Sequence, residues 1–292
     1  MKTSRPVITA ILFLAGLIRV ARAAELQPAT LAAWDSYRNQ ADAQLEERAE
    51  GRQPFLWLND SPERVARVRH GEVVVAPVAG HGSQAAPHGL IHDWIGAIFI
   101  PGATIDSLWA VLHDYDNYQR TYRPVVSASK TLACANNSQQ FQMVWQRKVL
   151  FVSAAMQGQY ESRDVMLDDH RGYSVAEAVE VREIQGHGHK DERLLPPDTG
   201  SGFIWRIRSV TSYEERDGGV YLELRAMALT RDIPGSLAWM VNPVVNHLSI
   251  NSLTATLRQT RDAVTSSRGS LDAAASCPVP RHGSELARVG GQ

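Results

Sequence analysis

Between Val125 and Thr230 the chain alternates apolar and polar residues in run after run. Such a texture folds as antiparallel strands whose two faces differ, one covered and one wet. The runs are 126–133, 139–149, 151–163, 172–184, 202–214 and 219–230. Phe141, Met143 and Trp145 alternate with Gln140, Gln142 and Gln146. Phe203, Trp205 and Ile207 alternate with Arg206 and Arg208, and Val220, Leu222 and Leu224 with Tyr221, Glu223 and Arg225. Asp217-Gly218-Gly219, between two such runs, is a hairpin signal. The polar, Pro-containing stretch 185–200 reads as a long loop.

Helical spacing frames this block. Ile91 to Ile100 is a strand that ends at Pro101-Gly102, and Thr104 then caps a helix with Ile105, Leu108, Trp109 and Leu112 on one face. A stretch with Tyr115, Tyr118 and Tyr122 follows and ends at Pro124. After Pro234-Gly235, Leu237, Val241, Val244, Val245 and Leu248 share one face, and Pro243 is expected to kink or split the helix. Ile250, Leu253, Leu257 and Val264 continue it. Upstream, 26–50 reads as a helix with Leu31, Trp34, Ala41 and Leu45 in its stripe and Arg38 filling one place. Ser61-Pro62 opens a short helix over 62–69, Gly71 to Ala76 is a strand, and 79–89 is a loop.

Lys2 and Arg5, the apolar run Val7 to Ile18 and Ala21-Arg22-Ala23 form a secretory leader pattern with cleavage after Ala23. The chain is therefore expected to be exported, to a periplasmic or extracellular setting. Its 30 basic and 31 acidic residues give a net charge of −1, which argues against nucleic-acid binding. Loss of 1–23, with four basic and no acidic residues, would take that charge to −5. Export would permit a disulfide, but nothing in the sequence indicates that Cys134 and Cys277 meet. Asn136-Asn137-Ser138 is a formal glycosylation sequon. Residues 267–292, rich in Ser, Ala, Gly and Arg, read as a disordered tail.

The order strand, helix, many antiparallel strands, long C-terminal helix resembles the START-like (SRPBCC) superfamily of lipid-transfer proteins and polyketide cyclases. The carriers of the resemblance are Trp94-Ile95-Gly96 through Phe99-Ile100-Pro101, Leu112-His113-Asp114-Tyr115 and Tyr122-Arg123-Pro124. Gly202 to Arg206, Glu214 to Gly219 and Leu229 to Pro234 complete it. It covers 88–266 and leaves 24–87 as an N-terminal helical extension and linker. It implies an α+β helix-grip fold: a curved antiparallel sheet wrapped around a long C-terminal helix, with a hydrophobic cavity between them.

On that reading Trp145, Phe203, Trp205, Met240, Val244, His247 and Leu248 line a cavity for a lipid, isoprenoid or polyketide. The alternative is an ordinary packed core. Arg147 continues the Phe141-Met143-Trp145 face and has two readings. It binds an acidic head group of the ligand, or the strand ends there and it reaches solvent. His187, His189 and Asp191 read as a coincidental loop rather than a metal site, and His81, His88 and His92 share that weakness. Asp114 and Asp116 end the 105–113 helix, so no catalytic set is assigned, and neither is a cofactor or a metal. Arg231-Asp232-Ile233-Pro234 reads as a structural corner.

The leading expectation is thus a non-enzymatic, exported binder of a hydrophobic small molecule, with transient membrane contact open. Two rivals stand beside it. One is a cyclase or hydrolase in the same cavity, with His113, Asp114 and His247 as the groups to replace. The other is an interaction module with a filled core that meets a protein partner through the 26–50 helix, with Trp34 and Leu45 as the contact surface.

Overall fold

The structure, a computed structural model, describes residues 24–78, 80–135, 137–149, 152–232, 235–267 and Cys277. For 148, 149, 152, 153 and 235–245 it describes the backbone alone. The leader at 1–23, Asn136 of the sequon and the tail apart from Ser267 and Cys277 lie outside the described residues.

The N-terminal part holds β1 (Ala24–Glu25), α1 (Pro28–Ala49), α2 (Pro62–Arg69), β2 (Val74–Pro77) and β3 (Ser83–Ala86). Then come β4 (Gly89–Pro101), α3 (Ile105–Leu112), α4 (Tyr118–Thr121), β5 (Val126–Ala135), β6 (Ser138–Val149), β7 (Val152–Asp168) and β8 (Arg171–Gln185). The short β9 (Arg193–Leu194) and β10 (Thr199–Gly200), β11 (Arg206–Arg216), β12 (Gly219–Arg231) and α5 (Gly235–Ser267) complete the chain. The order of the main sheet is β2-β4-β12-β11-β8-β7-β6-β5, with every neighbouring pair antiparallel, while β3 joins β4 and β9 joins β8. This is an α+β helix-grip architecture, with the sheet holding α5 against one face.

Local chemistry explains the ends of these elements. Thr104 and Ser107 cap α3 reciprocally: the Ser107 amide donates to Thr104 Oγ1 at 3.2 Å and the Thr104 amide to Ser107 Oγ at 2.9 Å. Asp217 and Gly218 both take positive φ, 58° and 75°, as a two-residue hairpin between β11 and β12 requires. Gly96 is where α5 comes closest to the sheet, since a Cβ there would lie 2.9 Å from Leu257 Cδ1.

The N-terminal segment does more than precede the domain. β2 and β3 pair with β4, so the stretch 79–89, expected as loop, contains a strand. α1 lies on the sheet face opposite α5. Thr30, Trp34, Tyr37 and Ala41 form its buried stripe, and Trp34 is only 1% exposed. Trp34, Tyr37 and Ala41 pack on Ile91, Met227 and Leu229 of the outer face. Phe55, Leu56, Leu58 and Val68 cover Ala97, Phe99 and Tyr221 beside them. The expectation of a wet face at Tyr221, Glu223 and Arg225 is therefore corrected. Alternation shows that two faces differ; it does not show that either is open to water.

Most polar groups on this outer face find partners, although Arg38 Nε, Arg208 Nε and Trp205 Nε1 are buried without one. Tyr37 Oη donates to Asp93 Oδ2 at 2.8 Å, and Arg225 holds the same carboxylate from Nη2 at 2.6 Å and Nε at 3.1 Å. Glu223 accepts the backbone amides of Trp57 at 3.0 Å and Leu58 at 2.6 Å. Burial pushes its carboxyl up to about 7, against the pull of those two amides.

Two further expectations change. α5 runs unbroken through Pro243 rather than splitting. Cys134 and Cys277, 143 residues apart, form a disulfide. A contact of such separation leaves no local pattern to read.

Candidate functional site

The inner face of the sheet, toward α5, is best described as rows of side chains across paired strands. One row runs Ile98, Leu222, Tyr213 and Gly172, from β4 through β12 and β11 to β8. Ile98, Leu222 and Tyr213 are fully buried with Leu108 and Trp109 of α3 and Leu257 and Val264 of α5. This end is a filled core.

The next rows differ in size and in burial. They read Gly96, Leu224, Thr211, Ser174; then Trp94, Ala226, Ser209, Ala176; then His92, Ala228, Ile207. Their middle positions are small, and Leu224, Ala226, Ala228, Ile207, Ser209, Thr211, Ser174 and Ala176 are only half-buried. Arg208, Val210 and Ser212, which alternate with them toward α1, are buried. Water thus reaches the face beneath the long helix more than the face beneath the extension. α5 comes closest to β4, β2 and α3, which leaves the middle strands less covered. This half-buried floor of mostly small side chains beneath α5 is the candidate ligand chamber.

One wall of the chamber is aromatic. Tyr115, Phe141 and Tyr160 stack in sequence, with centroids 4.2 and 4.9 Å apart, and Trp145 Nε1 donates to Tyr160 Oη at 3.1 Å. Burial raises the Tyr160 phenol well above its usual range, so it stays neutral. Arg147 lies two residues beyond Trp145 on the same face and donates to Ser252 of α5. It does not turn away to solvent. Burial lowers its guanidinium from the usual value, and among the described residues no carboxylate forms a salt bridge with it. On β4, His92 Nε2 lies 3.0 Å from Thr230 Oγ1, while His92 Nδ1 and Trp94 Nε1 are buried with no hydrogen-bond partner.

The residues expected to line a cavity separate. Trp145, Arg147 and Phe203 share the inner side, Phe203 packing half-buried on the aromatic cluster. Trp205 lies on the outer side, 4% exposed, against Trp34. The cause is a local irregularity: the Trp205 amide bonds the carbonyl of Leu229, which already faces Arg206, so two residues oppose one and the alternation breaks. Leu248 is half-buried on α5, and His247 is exposed and bonded to Asn251 at 2.8 Å. The side chains of Met240 and Val244 lie outside the described residues. Among the signals missed were the alanines at 226 and 228, Ser209 and His92. Each occupies an inner-face position of a strand already recognised by its period.

His113 has a different partner from the one its sequence neighbours suggest. Its Nε2 lies 2.9 Å from Asp164 Oδ2, which also accepts Gln139 Nε2 at 3.0 Å, and Ser174 Oγ donates to Asp164 Oδ1. Asp114 accepts from Asn117, and Asp116 from the Thr131 amide. His187 bonds Glu192 within its loop, and no group of three metal-ligating side chains occurs among the described residues.

A second concavity, of about 880 Å³, lies outside, between α1 and β7, β8 and β11. Charged side chains line it: Arg208 pairs with Asp42 and Glu177, and Arg38 with Glu177, while Arg38 Nε and Arg208 Nε are buried without a hydrogen-bond partner. The inner side, with its floor of mostly small apolar side chains, suits a hydrophobic ligand better than this charged concavity.

No protein-family model matches the chain, and no match was found among curated proteins. Solved structures of similar shape include a STAR-related lipid transfer protein fragment from Xanthomonas axonopodis, at 17% identity over 66% of this chain and 98% of that one, TM-score 0.42. Another is the Zhui aromatase/cyclase from Streptomyces sp. R1128, at 11% identity over 61% and 96%, TM-score 0.41. Human STARD10 matches at 9% identity over 72% and 81%, TM-score 0.40. Likenesses of this size decide neither ligand nor activity, and the fold is assigned from its own topology.

Proposed function

We propose that the chain is a non-enzymatic binder that holds a hydrophobic small molecule between the inner face of the sheet and α5. The observation that carries this reading is the half-buried floor of Ala226, Ala228, Ser209 and Ile207 beneath a helix, in a sheet whose opposite face is covered at β4 and β12 by the N-terminal segment. Apolar ligand surface buried there contributes about 25 cal/mol per Å² before the ordering costs of binding. Arg147, on the inner face beneath α5 and without a salt bridge among the described residues, meets the acidic or accepting end of the ligand. The unbroken helix α5 is the gate, because its N-terminal half can shift without unpairing a strand.

Export belongs to the same reading. The leader pattern at 1–23 supports it, and so does the Cys134–Cys277 disulfide, a bond that persists in oxidising compartments. The test is mass spectrometry of the purified mature chain, native and after solvent extraction. A carrier should show a stoichiometric apolar molecule that extraction removes and a lipid extract restores. An apo mass that takes nothing up would end the reading. Retention of the uncleaved chain inside the cell would end its export part.

A further inference from the structure

His92 occupies the inner face of β4 beside Ala228, at the edge of the small-residue floor, and is 9% exposed. Its hydrogen bonding points to one tautomer. Thr230 Oγ1 donates its one proton to the Arg231 carbonyl, at 3.1 Å. Toward His92 the same oxygen can therefore only accept, so Nε2, 3.0 Å away, carries the ring proton. Desolvation drives the imidazole pKa down to about 4, which keeps the ring neutral. Nδ1 is then a bare lone pair, buried and without a partner. Two residues on, and next to Ala226, Trp94 Nε1–H is a buried donor equally without a partner.

Buried polar atoms in native proteins nearly always find partners, and an unmade one is costly. Here an acceptor and a donor occupy successive inner-face positions of one strand at the β4 edge of the floor, with the Trp94 indole lying over Gly82. A hydroxyl group can give to the first and take from the second. An ether or ketone cannot give, a hydrocarbon can do neither, and an ionised carboxylate would set its charge against the Nδ1 lone pair.

We propose that His92 Nδ1 is the hydrogen-bond acceptor for an alcohol hydroxyl on the bound molecule, with Trp94 Nε1 as the complementary donor. The ligand class is then a hydroxylated apolar molecule. This inference rests on the carrier reading and deepens it. It makes the β4 edge of the chamber the end that reads a hydroxyl, distinct from the Arg147 end.

The experiment compares 1-dodecanol with 1-methoxydodecane, which keeps the oxygen and removes the donor, by competition in native mass spectrometry of the full chain. The wild type should prefer the alcohol by about 10-fold, the effect of one hydrogen bond to a buried acceptor. His92→Leu should bind both equally, with the ether no weaker than in the wild type. A second readout needs no variant. In the ¹⁵N-histidine-labelled wild type, the unprotonated Nδ1 resonance of His92 should move when the alcohol binds and stay when the ether binds. Equal affinities in the wild type, or an Nδ1 resonance indifferent to the alcohol, would overturn the assignment while leaving the carrier reading intact. Binding of neither probe would overturn both.

Discussion

The two faces of the sheet are built from the same strands and have opposite fates. The outer face carries more polar residues, among them Asp93, Arg208, Glu223 and Arg225, yet the N-terminal segment packs over it and gives each of those side chains a partner, from Tyr37, Asp42, the Trp57 and Leu58 amides, and Gln44. The inner face carries alanines, serines and aliphatics, yet parts of it stay within reach of water under α5. Polarity alone would have assigned the faces the other way round. What separates them is volume. The outer face is filled by Trp34, Leu56, Leu58 and Tyr221, whereas Ala226, Ala228, Ser209, Ser174 and Ala176 of the inner middle rows end at Cβ or one atom beyond.

The contrast can be broken most severely from the outside. Asp93→Ala would strand Arg225 and Tyr37 in a buried setting, and loss of one partner of such a pair costs about 3–5 kcal/mol. Denaturant unfolding should register a loss of that size. A change near zero would mean that the outer face is not closed in solution. Trp34→Ala removes the largest side chain of α1 from the interface and should cost about 3–5 kcal/mol at most, less where α1 settles into the gap. It also separates the carrier from the interaction module that the 26–50 helix first suggested. Buried as it is, Trp34 should matter for stability and not for capture of a partner.

Glu223 sharpens the comparison through pH. Its folded pKa is raised to about 7, so the native state holds a proton that the unfolded chain releases near the ordinary carboxylate value. Its contribution is fully present below that ordinary value and is lost as pH rises through 7. Across that window the loss amounts to up to about 3 kcal/mol. Glu223→Gln should flatten the stability profile between pH 5 and 8. An unchanged slope would show that Glu223 is ionised throughout, with the Trp57 and Leu58 amides outweighing its burial. On the inner side the expected effect is smaller and kinetic: bound ligand should slow amide exchange over 235–248 of α5 and leave α1 alone. Unchanged exchange there would remove α5 as the gate.

Much of this was legible in sequence because it is periodic. The strands β4 to β8, β11 and β12, the capped helix α3 and the long α5 all follow from spacing-two or spacing-3.6 patterns, whereas the short β9 and β10 fall within the stretch 185–200 expected as loop. The resemblance carried by Trp94 to Pro101 and Gly202 to Arg206 set them in helix-grip order. What escaped was non-local or aperiodic. The extra residue opposite Leu229 reversed Trp205, and no composition signals such a bulge. The Cys134–Cys277 bond joins an edge strand to the tail. The cover over Glu223 comes from residues more than 160 positions away, so its alternation with Leu222 and Leu224 looked like a solvent boundary. His92 was grouped with the neighbouring loop histidines although it falls within a strand of period two. The alanines at 226 and 228 were invisible for a simpler reason: a site made of missing side chains leaves no motif.

The measurement that bears most directly on the chamber is a paired one on Ala226→Leu, with thermal unfolding of the apo chain and ligand stoichiometry by native mass spectrometry on the same sample. If the inner face holds real space, the added atoms enter it. Stability should then stay within about 0.5 kcal/mol of wild type, the range of substitutions that disturb no packing, while ligand uptake falls away. If instead the face is an ordinary filled core, overpacking should cost about 1–3 kcal/mol, and there would be no uptake for the substitution to abolish.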